Sequence, residues 1–97
     1  FAQLLPMLKQ NLATYQNELT DAARAGDLAR VKRAAHAMRG LAIQFGARKV
    51  AAQAEEIEMN ANSIERVRDL LPGLEQSVPA TITAIAATES EPTKSRA

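Results

Sequence analysis

The chain has 97 residues, 46% of them hydrophobic, with twelve basic side chains against eleven acidic ones and a net charge of +1. That length supports one domain with a single core, and the lack of cysteine excludes both a disulfide framework and a thiolate metal site. Phe1, Phe45 and Tyr15 are the only aromatics, so the core must be built from Leu, Ile, Val, Met and many Ala, whose small side chains let helices approach closely.

Four segments carry apolar residues at helical spacing, and none alternates in the manner of a strand. The first, expected over about 2–24, has Leu5, Leu8, Leu12, Tyr15 and Leu19 at steps of three and four. Pro6 is tolerable in a first turn, and Ala25-Gly26 offers a C-terminal cap. The second, about 28–45, starts after Asp27, a good N-cap. Its stripe is Leu28, Val31, Ala35, Met38, Ala42 and Phe45, and it stops at Gly46. The third, about 47–61, carries Val50, Ala54, Ile57 and Ala61. The fourth, about 64–87, follows Ser63 as a cap and carries Ile64, Val67, Leu71, Leu74, Val78, Ile82 and Ile85. Pro72 and Pro79 fall inside it, yet the apolar phase runs through both, which predicts one kinked helix, with two shorter helices as the alternative. Residues 88–97 are polar, contain Pro92 and are expected to form a disordered tail behind a domain of residues 1–87. Four amphipathic helices on short connections predict an all-α antiparallel four-helix bundle.

No apolar run approaches the roughly 18–20 residues needed to span a bilayer, and the first twelve residues lack the basic start and cleavage pattern of a signal peptide. A cytoplasmic setting is expected, without direct membrane contact. The chain begins at Phe1 rather than Met, as expected of a piece cut from something longer.

Charge is unevenly spread. Between Leu28 and Ala54 there is no Asp or Glu, while Arg30, Lys32, Arg33, Arg39, Arg48 and Lys49 supply half of the basic residues. Such a window is either a solvated face or a site for an anion or acidic partner. His36, the only histidine, sits in its middle. On a helical wheel it lies roughly 120° from the centre of the apolar stripe, so it belongs on the surface. Lys32 and Gly40 are one turn away on either side, and Arg33 and Arg39 three residues away. A glycine inside a helix costs roughly 0.5–1 kcal/mol against Ala. Gly40 falls on the side of His36, where it removes bulk beside the imidazole, and Ala37 is small as well. Like charge from Lys32, Arg33 and Arg39 favours a neutral imidazole, the form able to act as a nucleophile. The same cations suit a phosphate dianion, with Arg39 able to donate charge-assisted hydrogen bonds to it.

His36-Ala-Met-Arg39-Gly40, five residues, Gly46, three residues and Val50 resembles the pattern H-x-x-[K/R]-G-x5-G-x3-[L/V] of histidine-containing phosphotransfer (HPt) domains. The helical layout extends the resemblance across most of the chain. It implies that His36 is the phosphorylated residue and that Arg39, helped by Lys32, stabilises the phosphoryl group. Gly40, with Ala37, Ile43 and Arg33, would give access and docking, and Gly46 would be the turn glycine. Many members place a Gln or Glu on the third helix against the other ring nitrogen, and that place falls on Glu58. The alternative for Glu58 is a solvated acid beside Glu55 and Glu56. Three departures stand out: Leu41 where small residues are frequent, Arg39 where Lys is more common, and the two prolines of the last helix.

There is no Gly-rich phosphate loop, so nucleotide binding and autophosphorylation are not expected. Only basic residues surround His36 in sequence, which leaves no zinc site. The resemblance implies a phosphocarrier rather than an enzyme, without a cofactor of its own. Its partners would be response-regulator receiver domains, which supply the Mg²⁺ and acidic ligands that phosphoryl transfer needs. The expected setting is the C-terminal module of a hybrid sensor kinase, cytoplasmic even where that kinase is membrane-anchored, with a free-standing shuttle as alternative. The isolated domain is expected to be a monomer. Rival readings are a non-phosphorylated scaffold of the same fold, the phosphotransfer domain of a chemotaxis kinase, and a nucleic-acid-binding bundle using the basic window. Scarce aromatics and near-neutral charge argue against nucleic acid.

Overall fold

The computed structural model describes the backbone of residues 4–96 and the side chains of residues 6–87. Four helices follow one another: α1 (Leu4–Ala25), α2 (Leu28–Gln44), α3 (Arg48–Met59) and α4 (Ile64–Arg96). Each packs on its neighbours in cyclic order, α1 on α2, α2 on α3, α3 on α4 and α4 back on α1. With such short connections this is an antiparallel four-helix bundle, as expected.

The turns show why the helices stop where they do. After α1, Gly26 adopts φ 72°. Its N–H bonds to the carbonyl of Ala23, and the N–H of Asp27 bonds to that of Ala22. After α2, Gly46 repeats the geometry at φ 72°, with Gly46 N–H on Ile43 and Ala47 N–H on Ala42. Both are Schellman caps, in which a left-handed glycine satisfies the last carbonyls. Asp27 then caps α2 by accepting from the N–H of Arg30 at 3.2 Å. Ser63 does the same for α4 through the N–H of Arg66 at 3.4 Å.

The core is aliphatic. Leu8, Leu12 and Leu19 of α1, Val31 and Met38 of α2, Val50 and Ile57 of α3, and Val67 and Leu74 of α4 are fully buried. Ala22, Ala35, Ala42 and Ala54 fill the space between them at zero exposure. Leu28, Phe45, Tyr15, Ile82 and Ile85 are partly buried against this cluster. Among the described residues the stripes read from the sequence are the buried or half-buried faces, and Leu5 lies outside the described side chains.

α4 is one continuous helix through Pro72 and Pro79, so the alternative of two shorter helices is excluded. The prolines are seven residues apart and both are exposed. Each proline removes one N–H from the helix, leaving the carbonyls of Arg68 and Glu75 without their usual i+4 donors. The backbone stays helical to Arg96, past the boundary expected at 87. The expected polar tail, 88–97, has its side chains outside the described residues. A polar helix of this length can continue on local hydrogen bonds alone once nucleated by the packed part. The 51 Å long axis of the molecule matches the length of α4 at about 1.5 Å per residue.

No helix among the described residues is long and apolar enough to cross a membrane.

Candidate functional site around His36

α2 and α3 together build the site. The apolar stripe of α2 turns Met38, Ala35 and Ala42 inward, which forces His36 and Gly40 outward. The His36 side chain is 63% exposed, whereas Glu58 on α3 is only 17% exposed. Ile57 is fully buried next to Glu58 and anchors the turn of α3 that carries it.

His36 Nδ1 lies 2.8 Å from Glu58 Oε2. A carboxylate can only accept, so the proton of this bond sits on Nδ1. In the neutral ring that leaves the lone pair on Nε2, which has no hydrogen-bond partner among the described residues. Arg39 Nη2 also comes within 3.5 Å of Nδ1, but a nitrogen that is donating to Glu58 cannot accept from a guanidinium. That approach is a packing contact.

Arg39 is engaged elsewhere. Its Nε is 3.4 Å from Glu58 Oε1 and its Nη1 is 3.8 Å from Glu55 Oε2. Nε is shielded from solvent without a well-formed hydrogen bond, so charge holds it there. The two oxygens of Glu58 are thus divided, Oε2 to the imidazole and Oε1 to the guanidinium.

The other cations of the acid-free window separate in space. Arg30 turns to α1 and donates from Nε to Glu18 Oε1 at 2.9 Å. That hydrogen bond, and the charge of Glu18, raise the pKa of the guanidinium above its ordinary value. Lys32 and Arg33 stay exposed and make no ion pair among the described residues. They line an open depression with His36, Ala37, Ala29 and Glu58. Arg48 lines a second hollow between α2 and α3 with Arg39, Ile43, Gly46 and Glu55, and Lys49 is exposed.

Gly40 is exposed, and a Cβ built on it would meet nothing within 4 Å. Tight internal packing therefore does not explain this glycine. Ile43, at 61% exposure, is one of three large apolar side chains left in water among the described residues. Gly46 sits at the turn, and its positive φ accounts for it.

The structure thus brings His36, Glu58, Arg39, Lys32, Arg33 and Ala37 together, with Gly40 and Ile43 further along the same helix. It adds Glu55, which the sequence did not single out. Its spacing of three from Glu58 on one helix face was the available signal. No cluster of three or more potential metal ligands occurs among the described residues.

The family model described as Hpt domain matches residues 3–88. A search of curated proteins gave no match, and neither did a search of solved structures. With the family model spanning nearly the whole bundle and the histidine site, the chain belongs to the Hpt domain family, the phosphocarriers of two-component signalling.

Proposed function

We propose that His36 is the phosphoryl-carrying residue of a phosphorelay. It accepts the group from the phosphoaspartate of one receiver domain and passes it to another. The observation that carries this reading is the held imidazole: Nδ1 tied to Glu58 at 2.8 Å on a side chain that is 63% exposed, beside a glycine with open space over it.

The chemistry follows from that geometry. The Nε2 lone pair attacks phosphorus in line, an N–P bond forms, the acyl P–O bond breaks, and the aspartate carboxylate leaves with the electron pair. The ring gains positive charge as it forms the bond, and Nδ1–H···Glu58 places a carboxylate against that charge. Lys32 and Arg33 present positive charge to the incoming phosphoryl group. Arg39 must turn away from α3 to reach it. The receiver supplies the Mg²⁺ and acidic ligands, and this chain supplies the nucleophile and its orientation. Gly40, Ala37 and Ile43 form the surface over which the receiver docks. The module works as a monomer on the cytoplasmic side, within a hybrid sensor kinase or as a free-standing shuttle.

Transfer from a phosphorylated receiver domain to this chain tests the reading, with His36→Gln as control. An acid-labile, base-stable label on the native chain that disappears in the variant is expected. Equal labelling of both removes His36 from the role. No label on either chain, with a panel of receivers, points to the scaffold reading.

A further inference from the structure

The window around His36 contains no acid in sequence, yet α3 brings two to it. Glu58 is committed twice, to His36 Nδ1 at 2.8 Å and to Arg39 Nε at 3.4 Å. Glu55, one turn earlier on the same face, lies 3.8 Å from Arg39 Nη1 and makes no other ion pair or hydrogen bond among the described residues. The planar guanidinium therefore faces two carboxylates at once with two different nitrogens, which the point charge of a lysine could not do.

Resting on the reading of His36 as phosphoryl carrier, we propose that Glu55 is a positioning residue that acts through Arg39. It holds the guanidinium toward α3 while His36 is unmodified and so competes with the phosphoryl group for it. Arg39 lies on the Nδ1 side of the ring, and the open nitrogen is Nε2. To meet a phosphoryl group on Nε2 the guanidinium has to cross the ring. Glu58 cannot release it by moving, because its other oxygen orients the imidazole. Glu55 has no such second duty, so its charge acts as a separable restraint on the crossing. Neutralising Glu55 lowers the cost of the move and shifts the equilibrium toward phosphohistidine. Its side chain is 54% exposed and solvent screens the pair, so the shift is about two- to fivefold.

The test uses the full chain and a phosphorylated receiver. Glu55→Gln should shift the equilibrium partition toward phosphohistidine by about two- to fivefold and lengthen its lifetime, while Glu55→Asp stays near the native value. In an Arg39→Ala background Glu55→Gln should do nothing, because the competition acts through that guanidinium. An unchanged partition in Glu55→Gln overturns the proposal. So does a shift of equal size in the Arg39→Ala background, since that would be a bulk charge effect. In the unmodified chain, solvent exchange of the Arg39 Nε–H by ¹⁵N NMR should speed up in Glu55→Gln, and unchanged exchange counts against the restraint. A native chain that takes no label at His36 instead defeats the phosphocarrier reading, and is seen before any Glu55 variant is made.

Discussion

His36 on α2 and Glu58 on α3 stand 2.8 Å apart, Nδ1 to Oε2, and this contact separates the imidazole into a held nitrogen and an open one. The held nitrogen is turned to α3, and the open one has no hydrogen-bond partner among the described residues. A charge-assisted bond of this kind is worth roughly 1.5–3 kcal/mol. Removing it with Glu58→Ala should slow transfer to His36 by about tenfold or more. Glu58→Gln, which keeps an oxygen acceptor for Nδ1–H without the charge, should fall between. Single-turnover transfer from a phosphorylated receiver measures both, and equal rates for all three chains would dissociate Glu58 from the chemistry.

Gly40 offers a case where stability and function should move in opposite directions. A Cβ there meets nothing, so Gly40→Ala should stabilise the fold by about 0.5–1 kcal/mol. A longer side chain, Gly40→Gln, should keep much of that gain yet obstruct the receiver and depress transfer. Denaturant midpoints and transfer rates on the same samples decide it. A Gln variant that transfers at the native rate means that no partner approaches over this position.

Gly46 should behave differently from Gly40. Its φ of 72° is a conformation that costs an L side chain about 1–2 kcal/mol. Gly46→Ala should lower stability by that amount, read as a lower urea midpoint at unchanged slope. A neutral effect would mean that the turn after α2 relaxes to another cap.

Lys32 and Arg33 are exposed beside His36 without an ion pair among the described residues. Receiver sites are acidic, so these cations should act mainly on encounter. Neutralising both, Lys32→Gln with Arg33→Gln, should lower the second-order transfer rate and flatten its dependence on salt. Rates that keep the native salt dependence would place the docking charge elsewhere.

The prolines of α4 should be removable. Both are exposed in an unbroken helix, so Pro72→Ala and Pro79→Ala should each raise stability by about 1–3 kcal/mol, less the unfolded-state entropy that proline removes. Thermal or urea unfolding measures it, and a loss of stability would show that the freed carbonyls are bound by a partner that alanine disrupts.

Much of the fold was legible in the residues because helical periodicity is local. The stripe from Leu28 to Phe45 named the buried face of α2, and its complement put His36 in water. Gly26 and Gly46 announced their turns because a left-handed cap is a property of one residue and its two neighbours. The last turns of α4, from 88 to Arg96, carry no apolar stripe, so periodicity ended the helix at 87.

The histidine site divides along the same line. His36, Gly40 and the cations of α2 are within one turn of each other in sequence, and spacing alone assembles them. The sequence therefore determined which helix carries the site, which face it uses and which residues flank the ring. Only the tertiary structure decided how those residues are engaged. Glu58 and Glu55 lie on another helix, and whether they reach the ring or point into solvent depends on the rotation of α3, which Val50, Ala54 and Ile57 set by packing against the core. That packing turned an apparently all-cationic surface into a paired one. Arg39 is held by two carboxylates, Arg30 is drawn off to Glu18, and only Lys32 and Arg33 of the cations beside His36 remain exposed without an ion pair among the described residues. Charge is additive along a sequence, but ion pairing depends on distances of a few ångströms, and only the packing of one helix on another fixes those.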